Sequence, residues 1–261
     1  MTAAPTISWL TLLSADPELS VTFYRAMFGW RAVPVIARGG YDITAGDKTS
    51  IGYFTGLEGE MPDDSGPVPA RDGGWVPFFL VTDPAPALAA APAAVPAGKD
   101  AWLAIDNSGA RFGVTTLPAR LPRARLQVEL ATTNVNRAAA FYGALIHVTF
   151  ERVEDDDMDF LAMSDADGTE PLGGIIDVGD LHRSQARPQW VPYFSAVDVD
   201  AEAVRALELG ALMRIPPADS PLDRYALLAD PTGVLFGLSN AEFATRLDQR
   251  RFTEHPLPGR P

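Results

Sequence analysis

Few side chains in this 261-residue sequence have a type and spacing that could do chemistry. Glu129 is the first of them, because it interrupts the apolar run Leu126–Ala131. A carboxylate walled by hydrocarbon has its pKa raised by desolvation, which suits a general acid or base. The competing reading is a structural ion pair, with Arg224 as the partner. On a strand, positions i and i+2 share a face, so Gln127 accompanies Glu129, Thr11 accompanies Trp9, and Ser195 accompanies Tyr193. Aromatic faces beside hydroxyls suit a flat, partly oxygenated ligand. For Trp9 the alternative is core packing. Arg224 could hold an anionic group of such a ligand, and an exposed salt bridge is its alternative.

Much chemistry is excluded. Cysteine is absent, which removes disulfides, thiolate nucleophiles and cysteine metal sites, and fits a reducing cytoplasm. The three histidines, His147, His182 and His255, fall at a helix end, in a loop and in the tail, with no ligand spacing between them. No dinucleotide-binding glycine pattern, phosphate loop or nucleophile elbow is present, so no cofactor is expected. A net charge of −13 repels phosphate backbones and acidic membrane surfaces, which makes nucleic acid and membrane poor partners. The start lacks a basic segment and meets Asp16, Pro17 and Glu18 early, so it reads as a strand and not as a signal peptide.

The elements that must position these residues recur four times. Ile7–Trp30 and Arg125–Val148 each begin with a short apolar run, break at a turn, and continue as a helix ending in Phe-Tyr-x-Ala. Asp16 before Pro17, and Asn134, serve as helix N-caps. Three strands follow each helix, at 31–37, 41–45 and 50–55 and again at 149–153, 158–163 and 174–178. Gly39-Gly40 and the acidic run 155–157 supply hairpin turns. Further copies start at Trp75 and Trp190. In the last, Asp198 caps a helix predicted to bury Val204, Leu207 and Leu209, Gly210 ends it, and Arg224–Ser239 closes as a hairpin around Pro231-Thr232-Gly233. The helix after Trp75 carries Pro84, Pro86 and Pro92 and must be short or broken. The prediction is an α+β fold of four βαβββ modules in two tandem domains, 1–120 and 121–245, followed by a C-terminal tail, 246–261. Loops are expected at 58–74 and 180–188, and the join at 117–125.

The Phe-Tyr helix end, the Trp-led strand running into an Asp-capped helix, and the closing hairpin with its Asp-Pro-x-Gly turn resemble the vicinal-oxygen-chelate superfamily. That superfamily includes glyoxalases, extradiol dioxygenases, fosfomycin-modifying enzymes and bleomycin-sequestering proteins, and the double-domain, actinobacterial glyoxalase-like group is the nearest in flavour. The resemblance implies that each pair of modules forms a half-barrel with a hollow, and that metal-dependent members carry His, Gln or Glu on four strands facing it. Those positions fall here on Trp9, Val76 and Gly113 in the first half and on Gln127, Val191 and Gly237 in the second. Gln127 alone of these six has a ligating side chain, with Asp177 a candidate second ligand. A divalent site needs three or four.

The leading expectation is therefore a metal-free protein that sequesters or carries a hydrophobic, aromatic natural product. Trp9, Thr11, Gln127, Tyr193, Ser195 and Arg224 would line its sites, the second domain being favoured. The alternative is a metal-independent lyase, isomerase or cyclase of secondary metabolism, with Glu129 as proton carrier and Tyr193 or Arg224 as its partner. A glyoxalase or dioxygenase built on an atypical site at Gln127 ranks third.

Overall fold

The computed structural model describes residues 7–36, 39–46, 50–56, 73–118, 121, 126–153, 159–165, 167–168, 171–178, 187–220 and 223–240. Four successive modules each run strand, helix, strand, strand, strand. The first contains β1 (Ile7–Ser14), α1 (Pro17–Phe28), β2 (Arg31–Val35), β3 (Gly40–Thr44) and β4 (Ser50–Gly56). The second contains β5 (Gly74–Leu80), α2 (Ala85–Ala90), β6 (Ala93–Pro96), β7 (Ala101–Ile105) and β8 (Arg111–Thr115). The third contains β9 (Leu126–Thr132), α3 (Val135–Ile146), β10 (Thr149–Val153), β11 (Phe160–Ser164) and β12 (Pro171–Asp177). The fourth contains β13 (Gln189–Ser195), α4 (Val199–Glu208), β14 (Leu212–Asp219), β15 (Arg224–Ala229) and β16 (Leu235–Ser239).

In every module the first strand pairs parallel to the last, which leads antiparallel into the other two. Antiparallel pairing of β1 with β5, and of β9 with β13, joins the modules two by two into half-barrels. A single bridge between Trp75 and Trp190 connects the halves. The parallel contact is tight at one repeated place. A Cβ on Gly52 or Gly173 would overlap the carbonyl oxygen of Leu10 or Val128, so only glycine lets these strands meet.

The helix starts follow from their caps. Asp16 accepts from the Leu19 amide at 2.9 Å, Asn134 from Arg137 at 2.9 Å and Asp198 from Ala201 at 3.0 Å. As its prolines require, α2 has only six residues. The expected buried face of α4 is corrected: Val204 and Leu207 are exposed, and the helix buries Val199, Ala203 and Ala206. These recur at i, i+4 and i+7, and two alanines let the helix backbone approach the sheet closely. The acidic run 155–157 and most of the expected loops at 58–74 and 180–188 lie outside the described residues, as do His182, His255 and the tail.

The core lies between the two half-barrels, and each of the long helices reaches across it. From α1, Phe23, Tyr24 and Phe28 contact Phe236, and Tyr24 and Phe28 also contact Phe194. From α3, Tyr142 meets Phe79 and Phe112. The Tyr142 hydroxyl donates to Asp106 Oδ2 at 2.8 Å and accepts from Trp190 Nε1 at 3.2 Å. The matching trio, Tyr24, Asp230 and Trp75, is also buried, and the Tyr24 hydroxyl faces Asp230 and Trp75 at looser hydrogen-bond geometry. Asp106 and Asp230 each gather the amides of their own turn, which is why the Asp-x-x-Gly pattern recurs in both halves.

Candidate functional site

Alternation along β9 and β13 sorts their side chains cleanly. Val128, Leu130, Trp190 and Phe194 enter the shared core, so Gln127, Glu129, Ala131, Val191, Tyr193 and Ser195 face the opposite, concave side. Val191 pairs with Glu129 and Tyr193 with Gln127, which makes Glu129 and Tyr193 diagonal neighbours. The Tyr193 hydroxyl hydrogen-bonds Glu129. Burial in the hollow pushes the Glu129 carboxyl up to about 8, the negative charge of Asp223 pushes the same way, and the Tyr193 hydrogen bond opposes both. Burial, with the Glu129 charge next, holds the Tyr193 hydroxyl well above the usual phenol range. At neutral pH both groups carry their protons.

Asp223, just before β15, is buried and accepts from Ser220 Oγ at 2.9 Å and from the Ser239 hydroxyl. Tyr225 pairs with Ser239 across β15 and β16, and its ring lies 6.4 Å from that of Tyr193. The second hollow thus has a polar floor of Gln127, Glu129, Tyr193, Tyr225 and Asp223. Val191, Leu227, Ile176 and Phe160 share that concave face as its apolar walls.

Of the residues singled out from sequence, Gln127, Glu129 and Tyr193 come together here. Ser195 shares their face but stands exposed at the strand end. Arg224 does not join them, and its expected roles toward the ligand and toward Glu129 are corrected. It alternates with Tyr225 onto the helix-covered face, where Asp200 binds its Nε at 2.6 Å and Nη2 at 2.8 Å, and Asp219 binds Nη1 at 3.1 Å. Trp9 and Thr11 occupy the first hollow, which is closed. Trp9 stacks on Phe78 with centroids 4.7 Å apart, over a packed cluster of Leu13, Val76, Phe78, Ala101 and Leu103. Asp223 escaped the sequence reading although it precedes Tyr225 by two positions and so shares its face; that period of two was the available signal.

Two of the six positions where the resemblance implies metal ligands are glycines pressed against aromatic rings. A Cβ at Gly113 would stand 2.3 Å from the Phe78 ring, and one at Gly237 would stand 2.1 Å from the Tyr193 ring. An aromatic side chain from β5 or β13 therefore fills, in each half, the space from which a last-strand carboxylate would project. Asp177 pairs with Thr132 at the far end of β9 on the other face, away from Gln127. His147 caps α3 in the left-handed conformation, φ 53°. Among the described residues, no group of three or more His, Asp or Glu side chains could hold a metal ion.

Residues 127–239 match the family described as Glyoxalase-like domain. The chain is 28% identical over 264 aligned positions to anthracycline biosynthesis protein DnrV of Streptomyces peucetius, covering 88% of this chain and 91% of DnrV. Its fold is similar to that of the Mn(II)-bound glyoxalase from Novosphingobium aromaticivorans, with a TM-score of 0.60 at 14% identity, covering 93% of this chain and 84% of that one. It is also similar to 2,2',3-trihydroxybiphenyl 1,2-dioxygenase from Sphingomonas wittichii, with a TM-score of 0.58 at 11% identity, covering 91% and 90%. Residues 127–239 thus resemble a glyoxalase-like domain, and the fold is similar to that of the glyoxalase and the dioxygenase. The chain shares its four-module fold with the Mn(II)-bound glyoxalase, yet its residues at the implied ligand positions do not fit a divalent ion. Valine and glycine cannot ligate, and the Phe78 and Tyr193 rings stand where a carboxylate would have to grow.

Proposed function

We propose that this protein, a member of the vicinal-oxygen-chelate superfamily in our reading, binds a largely apolar, aromatic small molecule in its second half-barrel, without a metal ion or other cofactor. The carrying observation is the contrast between the hollows: the first is filled by the Trp9–Phe78 stack, whereas the second sets a few polar groups among apolar walls. That composition is typical of small-molecule sites. The likeness to a protein named for anthracycline biosynthesis supports a flat, oxygenated natural product as the ligand, carried or sequestered in the cytoplasm. Nucleic acid and membrane have no part in this reading, and no helix among the described residues is long and apolar enough to cross a membrane. We further propose a division into domains at 1–120 and 121–245. The expected partner is the small molecule itself.

Mass spectrometry of the purified chain under native conditions, with and without prior treatment with a chelator, tests the reading. An aromatic small molecule should co-purify or bind stoichiometrically, and chelation should leave binding unchanged. Loss of binding on chelation, with recovery on adding a divalent ion, would overturn it.

A second reading has one observation behind it. A carboxyl raised to about 8 in a ligand hollow is suited to proton transfer, so Glu129 would serve a metal-independent lyase, isomerase or cyclase as general acid or base. Under that reading Glu129→Gln abolishes turnover and spares affinity.

A further inference from the structure

We infer that the second hollow selects an uncharged aromatic ligand presenting a carbonyl oxygen, which accepts a hydrogen bond from the Glu129 carboxylic acid held in place by the Tyr193 hydroxyl. This deepens the proposed function and rests on its assignment of the second hollow as the ligand site.

The inference follows from which groups can donate and which can only accept. Glu129 and Tyr193 are diagonal neighbours on adjacent strands, both facing the hollow, so the Tyr193 hydroxyl donates to one Glu129 oxygen and the proton of the acid is left for a ligand acceptor. Gln127, paired directly with Tyr193, adds an amide that donates through its nitrogen. Asp223 is the acceptor of the set, and Ser220 and Ser239 already donate to it, so its capacity is taken up inside the protein. A ligand carboxylate or phenolate would meet the Asp223 charge with no cation beside it on the described residues of β9, β12, β13, β15 and β16. No lysine or arginine falls on the concave face of β9, β12, β13, β15 or β16, and Arg224 is held by Asp200 and Asp219 on the other face. A neutral acceptor avoids that repulsion.

Proton occupancy is what makes Glu129 a donor. The titratable or charged groups facing it are Tyr193 from β13, Asp223 and Tyr225 at β15, and, three strands away at about 14 Å, Glu151 on β10. The nearest charge, on Asp223, is negative and favours the protonated acid. Above pH 8 the carboxyl ionises and becomes an acceptor, so the donor is lost while the Tyr193 hydroxyl, raised well above the usual range, persists.

The test compares anthraquinone with anthracene, which has the same three-ring plane without carbonyls, by quenching of the intrinsic fluorescence of the full-length chain. At about pH 6 anthraquinone should bind about tenfold more tightly, the effect of one well-made hydrogen bond to a buried acid. At about pH 9 that preference should shrink severalfold in the native protein. It should stay constant in Glu129→Gln, whose amide donates at every pH, and stay small in Glu129→Leu; circular dichroism checks that both variants fold. An anthraquinone preference equal at both pH values in the native protein would overturn the inference and leave the binding reading intact. Failure of both compounds to bind at either pH would count against the binding reading itself.

Discussion

The two half-barrels share topology, register and caps, yet their concave faces have opposite fates. In the first, Thr11 stands where the second has Glu129, Phe78 where it has Tyr193, and Leu13, Ala101 and Leu103 complete an apolar filling. In the second, the equivalent strands present a carboxyl, a phenol and an amide. The same rings cover the same glycines, Phe78 over Gly113 and Tyr193 over Gly237, and the phenol oxygen of Tyr193 is the difference between them. A fold built twice can thus spend one copy on stability and the other on chemistry.

The largest effect that could break this comparison is on packing. Phe78→Ala opens a cavity in the sealed hollow and should cost about 3–5 kcal/mol in urea denaturation, while Tyr193→Phe, which keeps the ring, should cost under about 1 kcal/mol and weaken ligand binding instead. Equal stability losses would erase the distinction. Next in size are the interface tyrosines. Tyr142→Phe leaves the buried Asp106 carboxylate short of a donor and should cost about 1–3 kcal/mol, whereas Tyr24→Phe, at a site with looser hydrogen-bond geometry, should cost less.

A pH series sharpens the contrast further. Folded Glu129 holds its proton up to about pH 8, above an ordinary carboxyl, so its contribution to stability is complete below the ordinary carboxyl range and fades as pH rises to 8. Relative to native protein, Glu129→Gln should therefore gain about 1–2 kcal/mol between pH 5 and 9 in thermal or urea unfolding. Thr11→Ser, at the matching place in the first half, should show no such pH dependence. The smallest expected effect is Arg224→Gln, which breaks a surface pair with Asp200 and Asp219 and should leave stability in urea denaturation nearly unchanged, with no change in ligand affinity.

The repeat made the fold legible, because Phe-Tyr helix ends, Asp caps and Asp-x-x-Gly turns mark each module through short-range chemistry. Glu129, Gln127 and Tyr193 were legible as a group because a period of two needs only the strand direction. Asp223 and the closure of the first hollow were not, since both depend on contacts between strands far apart in sequence. The stack of Trp9 on Phe78 exists only through the β1–β5 register. Arg224 misled for a related reason: it neighbours Tyr225 in sequence, and adjacent strand residues point to opposite faces. On α4, size misled as well, for the sheet takes alanines where larger aliphatics were expected.

The crossing of α1 and α3 between the halves has a consequence for how the chain can be divided. Each half supplies the other with a wedge of aromatic rings, so neither is a self-sufficient folding unit despite the sixteen strands being split evenly between them. Cut at the join, the two pieces would be sticky when expressed singly and soluble when expressed together, reassembling as complementing fragments. The half with the apolar filling would then act as an intramolecular chaperone for its sibling.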